Sequence, residues 1–270
     1  MSNIFSDLDK FGLANIESPE LFKQEQNKEG INKNLRAEKV LKTADFIYQK
    51  KFICPICDTY FNASTIRRSK LALQSIETDL RPVYKAVEPL CYDVIMCENC
   101  GHAALHQKFN HISDRQVDMI KDKICAKYKP FSYPAELTLE MGVERLKLAL
   151  LNCAVRNGDY SEKAYICMKL SWLFQILDQK ENEMLFVQYA YNGFSKAYTA
   201  ERSPFMGLSD STVLFLLGVF ANKLHRYDDA LKYIANILTS SKCEGNLKNR
   251  ARDLKDDILE SKRKLIEQAL

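Results

Sequence analysis

Apolar residues in this chain follow two different periods, and the change falls near residue 113. From residue 46 to about 112 they come in short runs at strand spacing. Phe46-Ile47-Tyr48 and Phe52-Ile53 are followed by Tyr60-Phe61-Asn62-Ala63-Ser64-Thr65-Ile66, and later by Tyr92-Asp93-Val94-Ile95-Met96. Runs rich in β-branched and aromatic residues at period two predict strands, because successive side chains leave opposite faces of a pleated backbone. Residues 70–76, Lys-Leu-Ala-Leu-Gln-Ser-Ile, predict one more strand, followed by a loop that contains Pro82 and Pro89.

From Ser113 onward the period becomes helical. Ser113 and Gln116 form a capping box ahead of Val117, Ile120, Ile124 and Tyr128, and Pro130 and Pro134 end that helix. Further helices are predicted at roughly 136–156, 161–178, 182–200, 211–224, 228–240 and 247–268. The connectors are short, as at Asn157-Gly158-Asp159, so sequence neighbours are predicted to pack antiparallel. One hairpin, Leu214-x₂-Leu217-Gly218-x₂-Ala221 with Tyr227-Asp228-Asp229-Ala230-x₃-Ile234, follows the small/large alternation of the ~34-residue tetratricopeptide repeat. Leu148, Leu151, Tyr160 and Ala164 echo it. The same spacing also fits an irregular bundle that uses small residues to let helices approach.

Residues 1–45 read as an arm and polar connector. Ile4, Phe5, Leu8 and Phe11 share one helical face ended by Gly12, and residues 23–42 are largely polar. Such an arm either packs back on the body or docks a partner. The predicted division is therefore an arm over 1–45, a β-rich unit over 46–112 and a helical unit over 113–270, an α+β chain overall.

Candidate chemistry is concentrated in the β-rich unit. Cys54-Pro55-Ile56-Cys57 and Cys97-Glu98-Asn99-Cys100 are separated by residues 58–96. Each C-x₂-C loop turns two thiolates to one side, and two such loops supply the four soft ligands of tetrahedral Zn²⁺. Cys54, Cys57, Cys97 and Cys100 are thus the predicted ligands of one structural zinc in a zinc ribbon. Gly101 supplies the left-handed turn away from the metal. Four thiolates leave no coordination position for a reactive water, which argues against catalytic zinc.

Composition narrows the class without naming a function. With 39 basic and 35 acidic residues the net charge is +4, too small to demand nucleic acid. No apolar run approaches the ~18 residues of a membrane span, and the first residues lack a signal-peptide pattern. Nine cysteines dominated by a metal pattern point to a reducing, cytoplasmic setting.

The whole pattern resembles the bacterial family catalogued as domain of unknown function 2225. The resemblance is carried by the first knuckle, Arg67-Arg68-Ser69-Lys70-Leu71, the run from Tyr92 through the second knuckle to Ala104, Lys169-Leu170-Ser171-Trp172-Leu173-Phe174, and the 214–234 hairpin. It implies a zinc-ribbon-like head on a tetratricopeptide-like body, with no established activity. Phe174 departs from the family pattern, where aromatic and basic residues continue the motif.

The remaining candidates are weaker. Arg67, Arg68, Lys70, Arg81 and Lys85, beside Tyr60, Phe61, Tyr84 and Tyr92, could meet phosphates, but Asp58, Glu77, Asp79, Glu88 and Asp93 offset them. Arg67 and Arg68 could instead dock on acidic helix ends. His102 and His106 could donate to the knuckle sulfurs or replace one of them. Cys91, Cys125, Cys153, Cys167 and Cys243 read as core, and so does Trp172 unless it anchors a groove. The basic side chains of residues 246–270 read as a solvated outer face. No nucleophile triad, phosphate loop or HExxH motif is present. The expected function is a non-enzymatic adaptor that binds a protein or peptide on its helical body. The alternative is a zinc-ribbon protein that binds RNA or DNA.

Overall fold

The computed structural model describes Gly12, residues 43–241 and residues 243–269. The amphipathic segment around Ile4 and Phe11 and the connector of residues 23–42 lie outside the described residues. The fold is α+β: short antiparallel hairpins followed by a helical body.

Three two-stranded sheets form among the described residues. Strands β1 (Ile47–Ile53) and β2 (Tyr60–Ile66) pair from Ile47↔Ile66 to Ile53↔Tyr60, with the first knuckle as their turn. Strands β3 (Leu73–Ile76) and β4 (Pro82–Tyr84) form the second hairpin. Strands β5 (Val94–Met96) and β6 (Ala103–Leu105) form the third, turned by the second knuckle. Strand β3 is shorter than the 70–76 expectation, because Arg68–Lys70 coil into a 3₁₀ turn. Pro82, expected in a loop, opens β4; proline is tolerated at the first residue of an edge strand, where no ladder donor is needed.

The helical expectations hold closely. Helix α1 (Asp114–Ile120) starts with Gln116 Oε1 accepting from the Ser113 N–H at 3.2 Å, and it runs on as a π-helical turn over Lys121–Cys125. It is followed by α2 (Leu139–Val155), α3 (Tyr160–Ile176), α4 (Lys180–Ala200), α5 (Asp210–Lys223), α6 (Tyr227–Thr239) and α7 (Gly245–Ala269). From α2 to α7, each helix packs against its neighbour in sequence. Three of the joints share one turn. Asn157, Asp178 and His225 sit at φ 54°, 55° and 59°, and the next residue's N–H reaches back to the carbonyls of Cys153, Phe174 and Ala221. This is a Schellman closure, made with residues that tolerate the left-handed region rather than with glycine.

Hairpins and helices share one hydrophobic core. It runs from Ile66, Tyr92, Val94 and Met96 through α2 to Ile258 on α7. The opposite face of the β1–β2 and β5–β6 hairpins has a small core of its own, where Ile95, Ala104, Ala63 and Phe109 meet Phe52 and Phe61. Strand β5 is therefore buried on both faces. No described helix is long and apolar enough to cross a membrane.

Close approach is built in at Gly142. A Cβ placed there would lie 2.9 Å from Cys91 Sγ and 3.1 Å from Cys91 Cα, so α2 packs directly on the 3₁₀ turn Pro89–Tyr92. Gly142→Ala improves helix propensity by about 1 kcal/mol, but the overpacking is expected to outweigh this and lower stability by about 1–3 kcal/mol. Urea unfolding checks it; a raised midpoint would contradict the close crossing.

Candidate metal centre

The two knuckles are built alike. In the first, the Cys54 N–H donates to Thr59 O at 3.0 Å and the Asp58 N–H to Cys54 O at 3.0 Å. In the second, the Cys97 N–H donates to His102 O at 2.8 Å and the Gly101 N–H to Cys97 O at 2.9 Å. Both turns end in the left-handed region, at Asp58 (φ 54°) and Gly101 (φ 77°). Asp58 is thus the counterpart of Gly101, a role its carboxyl-bearing side chain hides in the sequence. Aspartate is among the few residues other than glycine that visit this region readily.

This geometry brings Cys54, Cys57, Cys97 and Cys100 together, with all four Sγ atoms within 4.8 Å of one another. Across the knuckles, Cys54 lies 3.5 Å from Cys100 and Cys57 lies 3.7 Å from Cys97. All four are free thiols, too far apart to be disulfides. A tetrahedral ion with bonds of about 2.3 Å needs sulfurs roughly 3.8 Å apart, so the cluster fits such an ion. Three of the four are buried and Cys57 is half-buried.

The sulfurs are not held by packing alone. The Ile56 N–H points at Cys54 Sγ (3.4 Å), and the Asn99 amide reaches Cys57 Sγ (3.6 Å) and Thr59 Oγ1 (3.1 Å). Such donors stabilise thiolates. Hydrogen bonds from Cys100 and then Cys54 pull the Cys97 thiol down to about 2. Cys54 is pushed up to about 12, since the bond from Cys97 and burial together outweigh the lowering bond from Cys100. Cys100 is raised through bonds to Cys125, Cys54 and Cys97. A divalent cation bound by the four sulfurs would displace their protons.

Helix α2 fixes the second knuckle from behind. Asn152, fully buried, donates to Gly101 O at 3.2 Å and to Leu148 O at 2.9 Å. Arg145, also buried, donates to Val94 O and lies over the Tyr133 ring. Tyr128, at the end of the π turn, covers Gly101; a Cβ there would stand 2.4 Å from its ring. None of these supports was legible as such, because each joins residues distant in sequence.

The other candidates separate. His102 is buried with Nε2 against Phe109 O (3.1 Å), and burial lowers its pKa; it supports the loop and is outside the sulfur cluster. His106 lies beside Lys50. Cys91, Cys153, Cys167 and Cys243 are buried as expected, but Cys125 is half-buried and its thiol meets Cys100. Arg68 pairs with Asp93 and Arg67 lies over Tyr48, rather than either reaching an acidic helix end. Arg81 is buried beside Asp79 and Glu77, so the five cations do not form one face.

Residues 47–258 match the model of a family described as "Uncharacterized protein conserved in bacteria (DUF2225)". No curated protein and no solved structure matches the chain.

Asn152→Ala removes both donors while leaving Gly101 O buried, and is expected to cost about 1–3 kcal/mol. Gly101→Ala should be at least as costly, since strain and a ring clash add. Thermal and urea unfolding of both variants check this; wild-type stability in either would show that α2 does not anchor the knuckle.

Proposed function

Because the chain belongs to the bacterial family of domain of unknown function 2225, whose description carries no chemistry, we propose its function from the cysteine cluster and the helical body. The protein is a non-enzymatic zinc-binding adaptor. One structural Zn²⁺ closes the two knuckles, and tetratricopeptide-like hairpins receive a protein or peptide partner. The observation that carries the reading is the closed shell of four sulfurs tied by α2 to a stack of helices. Soft thiolates in a tetrahedron select zinc over hard cations, and a filled shell leaves the ion structural.

The helical stack supports the adaptor half. Repeated Schellman joints and sequence-neighbour packing are the arrangement from which helical repeats build an extended binding face. At Gly218 a Cβ would lie 2.8 Å from Ile234 Cδ1, which is how α5 and α6 approach closely, as in the tetratricopeptide hairpin. Three of the seven basic residues of α7 are in ion pairs, Lys262 with Asp228, Lys264 with Glu260 and Arg263 with Glu267.

Two measurements test the two halves. Elemental analysis of freshly reduced protein is expected to find about one zinc per chain, and Cys100→Ser to lose it and unfold the hairpins, since structural zinc contributes on the order of 10–16 kcal/mol in small modules. Protein without zinc would sink the metal half. For the body, Gly218→Leu is expected to cost about 1–3 kcal/mol by overpacking. Nuclease-treated affinity capture from the source bacterium should then lose its partner with Gly218→Leu and keep it with Arg67→Glu plus Arg68→Glu. Capture abolished by nuclease, or by the arginine pair alone, would favour the nucleic-acid alternative.

A further inference from the structure

Gly12 touches a part of the molecule that is distant from it in sequence. It is half-buried, and what it meets is the turn that follows α1 and its π-helical extension. A Cβ built on Gly12 would collide with the Lys127 carbonyl oxygen and stand 3.1 Å from Lys129 Cγ. The Gly12 backbone therefore lies directly on the Lys127 carbonyl, an approach that only glycine permits. Its φ of 78° is in the left-handed region. Glycine adopts that conformation just past the end of a helix, which is where the spacing of Ile4, Phe5, Leu8 and Phe11 puts Gly12.

The turn at this contact backs the second knuckle. The Lys127 and Tyr128 N–H groups both donate to Ile124 O, at 3.0 and 2.9 Å, and the Tyr128 ring covers Gly101. Further on, Glu98 of the knuckle accepts from the Ser132 hydroxyl at 2.6 Å and from the Tyr133 N–H at 3.2 Å. Phe131 and Tyr133, both half-buried, meet edge to face with their centroids 5.1 Å apart. Charge around the contact is positive. Lys121, Lys123, Lys127 and Lys129 are all exposed, and Asp122 is the one acid among residues 121–131.

The sequence that leads into Gly12 matches this surface in two ways. Ile4, Phe5, Leu8 and Phe11 make one apolar face, which gains by leaving water for half-buried aromatic rings. Asp7 and Asp9 carry negative charge toward a group of lysines, and complementary charge fixes register.

We propose that the N-terminal arm docks in cis. Residues 4–12 lie as a strap against the turn from Lys127 to Tyr133, anchored at Gly12. The apolar face turns toward Phe131 and Tyr133, and Asp7 and Asp9 turn toward the lysines. The strap holds the Tyr128 cover on Gly101 and so braces the second knuckle from outside. The adaptor reading neither requires this contact nor depends on it.

Carbodiimide cross-linking joins a carboxylate directly to an amine, so in the full-length protein it reports which lysine each aspartate reaches. Peptide mapping of the cross-linked monomer is expected to find Asp7 or Asp9 joined to Lys121, Lys123, Lys127 or Lys129. Gly12→Val sets a branched side chain against the Lys127 carbonyl and should cut that yield by about tenfold, the equilibrium effect of overpacking. Leu8→Ser should lower it too, through lost apolar contact. Amide exchange gives a second readout: residues 4–11 should exchange about tenfold faster in Gly12→Val than in wild type, with helices α2 to α7 unchanged. The proposal is overturned if the cross-link is absent from the monomer, if it forms only between two copies, or if it survives Gly12→Val undiminished. It is equally overturned if residues 4–11 of the wild type exchange as fast as a synthetic peptide of the same sequence, which would leave the arm free for a partner.

Discussion

None of the three hairpins can stand alone. A two-stranded sheet in water is marginal at best, and β4, β5 and β6 are three residues each. No third strand joins any of them among the described residues. Each must be held from outside, and this requirement organises the rest of the molecule. The sulfur cluster ties the turn of the first hairpin to that of the third. The helices hold what the cluster does not.

That second hold is made by buried polar groups as well as by apolar contact. Asn152 and Arg145 on α2 take backbone carbonyls of the third hairpin. Lys169 on α3 takes Asp93, just before β5. Lys223 on α5 takes Asp79 in the second hairpin, and Arg250 on α7 donates to Glu77 O. Burial would by itself lower the pKa of Lys169 and Lys223, but their carboxylate partners outweigh it and keep both charged. Pairs of this kind contribute little net stability compared with apolar replacements, yet breaking one strands a buried charge. They therefore specify where the hairpins sit on the helices.

Much of this could be read from residues. The C-x₂-C spacing identified all four clustering sulfurs, because a tight turn forces two cysteines to one side whatever the rest of the chain does. Helices α2 to α7 were legible within a few residues, since an amphipathic period over four or five turns is a strong local signal. Strand β4 was missed because Pro82 is a breaker in most settings and tolerated only at an edge, which the sequence does not mark. Asp58 was missed because its left-handed φ depends on the same hydrogen-bond frame that Gly101 advertises openly. Asn157, Asp178 and His225 end three helices without the glycine at that position that usually signals such a turn.

What the sequence by itself determined is local: which cysteines face one another across a turn, where helices begin and end, and the family to which the chain belongs. Only the tertiary structure decided that hairpins and helices share one core, and which buried polar groups of the helices hold each hairpin. The physical reason is range. Turn geometry and helical period act over a few residues, whereas Lys223 meets Asp79 across 144 positions and Lys169 meets Asp93 across 76. Such pairings leave no mark on the intervening sequence. They exist only once the core has closed and the surrounding water has been removed.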